Sequence, residues 1–237
     1  MIIFPAIDIF DGKAVRLFKG DYAQMTVYSE QPHEVAAGFK AAGAEWIHLV
    51  DLEGAKEGCA VNFDVVKHIV KESGLKCEIG GGIRNEEMIK KYIDAGISRV
   101  IIGTAAVGNR NFLEAMCAKY GEHIAVGADI RDGQIAVKGW TQLSGTSYID
   151  FCAELANLGI KTLICTDISR DGAMRGTNAE LYKELSGKFG FDLVASGGVS
   201  SMEDVKRLRA LNIYGAIIGK ALYTGDIDLK KAIEAAV

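Results

Sequence analysis

A closed parallel α/β barrel of eight strand–helix units is the fold this sequence predicts, and three observations predict it. Eight short aliphatic runs alternate with amphipathic runs along the 237 residues, about 30 residues per unit, the size of one βαβ step. The aliphatic runs are almost continuously apolar, as strands covered on both faces are. Motifs also recur at a constant spacing between the two halves of the chain. Strict alternation implies a parallel sheet, and eight strands suit a closed ring better than an open doubly wound sheet.

Taken in order, the strands fall at IIFPAID (2–8), WIHLVD (46–51), CEIGG (77–81), RVIIG (99–103), IAVGAD (124–129), TLICTD (162–167), DLVASGG (192–198) and GAIIG (215–219). Each is rich in β-branched or aliphatic residues. The stretches between them carry helical spacing. In 85–96 the apolar residues are Met88, Ile89, Tyr92 and Ile93; in 201–211 they are Met202, Val205, Leu208 and Leu211. Asn85 and Ser201 stand where N-caps belong, and Pro32 suits the first turn of the helix after the first loop.

The repeats divide the chain. Asp8-Ile9-Phe10-Asp11-Gly12 matches Asp129-Ile130-Arg131-Asp132-Gly133, 121 residues further on. Gly43 and Asp51 match Gly159 and Asp167 at a spacing of 116. The same spacing of 116 relates Gly81-Gly82-Ile83 to Gly197-Gly198-Val199, and Ile102-Gly103-Thr104-Ala105 to Ile218-Gly219-Lys220-Ala221. The one change of spacing falls after the first strand, where a long first loop belongs. A single domain of two half-barrels follows, about 1–120 and 121–237, joined near 120–123.

Composition bounds the function. Hydrophobic residues at 49%, charged residues at 24% and a net charge of -4 describe a soluble globular protein and argue against a nucleic-acid surface. No apolar run approaches the roughly 18 residues that span a bilayer. MIIFPAIDIF has no basic residue before its apolar run and is interrupted by Asp8, unlike a secretory signal. Cys59, Cys77, Cys117, Cys152 and Cys165 form no CxxC pair, so free thiols in a reducing cytoplasm are expected, without a metal.

In a parallel barrel the active site lies at the carboxyl ends of the strands. Asp8 and Asp129 end the first and fifth strands, opposite one another, and suit a general acid facing a general base. Asp11 and Asp132 read as turn residues of Asp-x-x-Asp-Gly. GGGIR (80–84) and SGGVSS (196–201) leave a strand and open a helix, as do IGTA (102–105) and IGKA (218–221). Such glycines let backbone N–H groups meet an anion. Four at symmetric places predict a small-molecule ligand with a phosphate at each end. His48 and Thr166 lie near the ends of the second and sixth strands, His48 either reaching the ligand or bonded within the barrel. Asp51 and Asp167 hold equivalent places and suit loop anchors. Arg16 alone reads as solvated, and Trp140 either stacks on a ligand or packs.

PAIDIFDGKAVRL, IHLVDLEGA, IGGGIR, ADIRDG with VKGW, TDISRDGAMRGTN, ASGGVSS and IGKALY together resemble the phosphoribosylformimino-5-aminoimidazole carboxamide ribotide isomerases of histidine biosynthesis, from end to end of the chain. The resemblance implies a TIM barrel and an Amadori rearrangement of an aminoaldose to an aminoketose, without metal or organic cofactor. It implies Asp129 as the acid that opens the ribose ring and Asp8 as the base that removes the C2 proton. Thr166 would bond near the reacting centre. Gly82, Gly103 and Thr104 would hold one phosphate and Gly198, Gly219 and Lys220 the other. Arg16, His48 and Trp140 would complete the substrate site of a cytoplasmic monomer. A sister family, the cyclase of imidazole glycerol phosphate synthase, resembles Asp-Val-Lys-Asp-Gly after its first strand, where this chain has Phe10. An isomerase acting also on phosphoribosylanthranilate is the alternative. A silent sugar-phosphate binder would have no need of both Asp8 and Asp129.

Overall fold

The computed structural model describes residues 1–18 and 20–237. Its strands are β1 (Ile2–Phe10), β2 (Lys13–Phe18), β3 (Asp21–Ser29), β4 (Trp46–Asp51), β5 (Lys76–Gly80), β6 (Arg99–Ile102), β7 (Ile124–Arg131), β8 (Gln134–Val137), β9 (Gln142–Ser147), β10 (Thr162–Asp167), β11 (Asp192–Ser196) and β12 (Gly215–Ile218). Eight of them pair in parallel, in the order β1-β4-β5-β6-β7-β10-β11-β12, and β12 returns to β1. The ring is closed. It is the eight-stranded barrel expected from the alternation of units.

Four strands go beyond that expectation. β2 pairs antiparallel with β1 and β3 with β2, while β8 pairs antiparallel with β7 and β9 with β8. Each extension starts at a two-residue Asp-Gly turn. Asp11 and Gly12 have φ of 49° and 73°, and Asp132 and Gly133 have 53° and 76°. Two successive left-handed residues make the turn that matches strand twist, and Asp-Gly adopts it readily. The turn role read for both aspartates holds. As a consequence β1 and β7 run two residues past Asp8 and Asp129 rather than ending there.

Why the strands are apolar on both faces is now visible. Alternate residues point inward and outward. Inside the ring Phe4, Ala6, Ile101, Ala125, Ile164, Val194 and Ile217 form one buried cluster. Outside it Ile7, Ile47, Leu49, Ile79, Val126 and Leu163 pack under the helices in a larger one. Each of the larger side chains, Phe, Ile, Leu and Val, contributes about 1.5–3 kcal/mol by leaving water. Met88, Ile89 and Tyr92 turn the helix Glu86–Asp94 onto this outer core, and Val205 and Leu208 do so for Met202–Ala210. Asn85 caps the first by accepting from the Met88 amide. Ser201 and Asp204 form a reciprocal capping box on the second. Pro32 opens the helix Pro32–Ala41. A 3-10 turn at Gly121–His123 leads directly into β7. Among the described residues, no helix is long and apolar enough to cross a membrane.

Candidate active site

One pocket opens at the carboxyl ends of the eight barrel strands, and Asp8, Asp129, His48 and Thr166 all line it. Asp8 projects from β1 where that strand pairs with Val15 of β2. The hairpin brings Arg16 back over the barrel, and its Nη1 donates to Asp8 Oδ1 at 2.8 Å. The two side chains are only 11% and 14% exposed. Arg16 is thus a buried partner of the pocket carboxylate, which corrects its reading as a solvated residue. Burial pushes the Asp8 carboxyl above the usual aspartate range, while Arg16 and His48 oppose that rise.

Asp129 has a different company. It lies in register with Thr166 of the neighbouring β10, whose hydroxyl donates to it. The Trp140 indole Nε1–H donates to Asp129 Oδ2 at 2.8 Å. Burial raises the Asp129 carboxyl too, against those two hydrogen bonds and His48. The two aspartates therefore share an environment but not a partner: Asp8 is paired with a fixed cation, Asp129 with neutral donors.

A third carboxylate joins them. Asp171 lines the same pocket from the turn after β10, where its amide donates to the Asp167 carbonyl. Burial pushes it up to about 6; Arg16 opposes the shift, and Asp8 and Asp129 reinforce it. Sequence reasoning singled out TDISRDG without assigning Asp171. The usable signal was an acid four places beyond Asp167 in a loop at the barrel mouth.

The two glycine cradles take the same form. Gly81 and Gly82 have φ of 118° and 69°, and Gly197 and Gly198 have 92° and 80°. A Cβ on Gly81 would collide with the Asp51 carbonyl, and one on Gly197 would press on that of Asp167. On Gly82 it would strike the Gly54 carbonyl, and on Gly198 that of Gly176. Only glycine permits so close an approach of backbones. Gly103 (φ -99°, ψ -103°) and Gly219 (φ -106°, ψ -102°) share one unusual conformation ahead of a short helix. Asp51 and Asp167 are the loop anchors expected. Asp51 accepts from the Gly54 amide and from Asn62 Nδ2, each at 2.8 Å. Asp167 accepts from the Ser169 amide at 3.0 Å and Asn178 Nδ2 at 2.7 Å. Asn62 and Asn178 are themselves 116 apart, a match the sequence reading missed.

The remaining expected binders line the pocket but hold protein groups as well. Thr104 Oγ1 accepts from the Lys138 amide at 2.9 Å, tying down the loop that carries Trp140. Lys220 Nζ donates to the Gly172 carbonyl at 3.3 Å, next to Asp171. The Trp140 ring lies against Gly20, so it reaches across the pocket from the loop after β8 to the loop after β2. His48 Nδ1 lies 2.7 Å from Glu78 Oε1, the barrel-bonded arrangement foreseen as one of its two readings.

A (β/α)8 barrel with paired acidic groups at its mouth and two matching glycine cradles is the class these features define. The chain belongs to the histidine biosynthesis protein family, whose model matches residues 2–228. It is similar to the 1-(5-phosphoribosyl)-5-((5-phosphoribosylamino)methylideneamino)imidazole-4-carboxamide isomerase of Brachyspira hyodysenteriae, at 49% identity over 100% of this chain and 99% of that protein. The isomerase of the same name from Clostridium kluyveri is 49% identical over 99% of this chain and 98% of that protein. That from Clostridioides difficile is 45% identical, over 98% and 97%.

Proposed function

We propose that this chain is the isomerase of histidine biosynthesis that its relatives are named for, converting an aminoaldose with two phosphoribosyl groups into its aminoketose. The observation that carries the assignment of roles is the difference between the two aspartates. A general base must be ionised before reaction, and Asp8 has the Arg16 guanidinium at 2.8 Å to favour its anion. A general acid must hold a proton, and burial favours the neutral form of Asp129. That carboxyl is hydrogen-bonded by the neutral donors Trp140 and Thr166 and lacks the arginine pair that Asp8 has, while His48 acts on both carboxyls in the same direction. Environments that push two carboxyls apart are what an acid and a base in one pocket require.

In this mechanism Asp129 protonates the ribose ring oxygen, the C1–O bond breaks, and the nitrogen lone pair forms a Schiff base. Asp8 then removes the C2 proton, and the electrons move to nitrogen to give an enolamine, which tautomerises to the ketose. Thr166 and Trp140 orient Asp129. The cradle at Gly82, Gly103 and Thr104 receives one phosphate and that at Gly198, Gly219 and Lys220 the other, with Arg16 and His48 between them. The enzyme works as a cytoplasmic monomer on a small molecule, needing no cofactor.

The test is an assay of the purified protein with this aminoaldose beside phosphoribosylanthranilate. Turnover of the first is expected. No turnover of it, with the protein folded, rejects the assignment; comparable turnover of both establishes the dual-substrate alternative.

A further inference from the structure

Below the two aspartates the barrel holds charge where hydrocarbon usually packs. His48 of β4 lies in register with Glu78 of β5, and Glu78 with Arg99 of β6. Three adjacent strands thus aim three polar side chains into the ring at one level. His48 Nδ1 is 2.7 Å from Glu78 Oε1. Arg99 donates to Glu78 Oε2 through Nε at 3.1 Å and Nη2 at 2.6 Å. Its Nη1 donates to the Thr162 hydroxyl at 3.1 Å, and its guanidinium lies 4.7 Å from the centre of the Trp46 ring. Glu78 is 0% exposed and Arg99 4%.

Such a pair is a poor source of stability. Replacing a buried ion pair by packed hydrocarbon is often neutral or stabilising by about 1–4 kcal/mol. Its position suggests another purpose, because it lies one hydrogen bond beneath a pocket residue. In its salt bridge with Arg99, Glu78 is a carboxylate, and a carboxylate only accepts hydrogen bonds. The His48 nitrogen facing it is then the one that carries a proton, which leaves Nε2 for the pocket. His48 lines the same pocket as Asp8, Asp129 and Asp171.

We propose that Glu78, held by Arg99, is a positioning residue that sets the Nδ1–H tautomer and ring orientation of His48, presenting Nε2 to a hydroxyl of the sugar-phosphate substrate between the two aspartates. The substrate half of this inference rests on the isomerase activity proposed above; the tautomer half does not. Two measurements test it. Nitrogen-15 NMR of the native protein reads the tautomer directly, with His48 identified by the signals that vanish in His48→Gln. A proton on Nδ1 is expected, and a ring protonated on Nε2 alone overturns the proposal. The paired substitution Glu78→Leu with Arg99→Met removes both charges together and leaves no unpaired ion. It is expected to fold, to release His48 from the Nδ1–H tautomer, and to lower kcat by about tenfold or more, the scale of losing a carboxylate behind a working histidine. A folded double variant with native kcat and KM also overturns it. Should that variant fail to fold, the native spectrum alone decides. An inactive native enzyme with the Nδ1–H tautomer would count against the proposed reaction and leave the Glu78–His48 arrangement standing.

Discussion

At the scale of single residues, chemistry here is set by what each carboxyl faces. Asp8→Asn and Asp129→Asn are each expected to lower kcat by about 10²–10⁴-fold with the fold retained, the usual contribution of a general acid or base. Steady-state assays with circular dichroism check this, and near-native turnover in either variant removes that residue from the mechanism. Asp171 makes a different kind of prediction. Its carboxyl is pushed from 3.8 to about 6, chiefly by burial. Below the unfolded value both states are protonated and its contribution to stability is complete. Between pH 4 and 6 the unfolded chain releases the proton first, so that stability is lost as pH rises. Asp171→Asn should therefore be more stable to denaturant than the native protein at pH 8, by about 3 kcal/mol, the equivalent of that rise from 3.8 to about 6, and by less at pH 5. An equal difference at both pH values would contradict the origin in ionisation. Sequence could name Asp8 and Asp129 because each ends an aliphatic run and recurs. It could not name Asp171, whose repeat partner is absent, nor Glu78 and Arg99, because their meeting depends on strand register.

At the scale of elements, the two hairpins do the most to shape the site. The Asp-Gly turns were legible as turns, yet KAVRLF and QIAV did not read as strands. Short antiparallel ribbons of this kind mix buried residues with half-buried and exposed ones, and so lack the continuous apolarity that marks the barrel strands. Because β2 folds back, Arg16 comes down on Asp8; because the loop after β8 folds back, Trp140 comes down on Asp129. Trp140 thus has two duties to separate: its ring can cover the substrate's imidazole carboxamide, and its N–H holds Asp129. Stacking contributes about 0.5–1.5 kcal/mol beyond burial, so Trp140→Ala should raise KM about two- to tenfold. Trp140→Phe keeps a ring but loses the donor. It should leave KM closer to native while shifting the limb of the kcat–pH profile that reports Asp129 upward, since the hydrogen bond lowers that carboxyl's pKa. A lower melting temperature with KM unaltered in Trp140→Ala would assign the ring to packing instead.

At the scale of the whole molecule, the closed ring was readable because strict alternation and continuous apolarity both follow from strands buried on two faces. The twofold pattern was readable because glycines with no room for a Cβ cannot drift. The same geometry recurs 116 residues apart at the glycine cradles, at Gly103 and Gly219, and at the Asp51–Asn62 and Asp167–Asn178 anchors. Residues 1–120 are accordingly expected to superpose on 121–237, with β1 on β7 and β5 on β11. That duplication makes a prediction about ligands that no single cradle would make. A substrate with a phosphate at each end needs two anion sites on opposite sides of the mouth, and the repeat supplies two of one design. Crystals grown without substrate in sulfate or phosphate should hold two anions. One belongs at the amides of Gly82 and Gly103, the other at those of Gly198 and Gly219. Charge distinguishes them: Arg16 packs against Gly219 and Lys220 follows it, whereas Thr104 follows Gly103. The second site should therefore fill at lower anion concentration and lose more affinity as ionic strength rises. Titration of inorganic phosphate at two salt concentrations, followed by NMR of the glycine amides, measures both. An anion at one cradle only, with the other pair of amides turned from the pocket, would break the link between the duplicated fold and a doubly phosphorylated substrate.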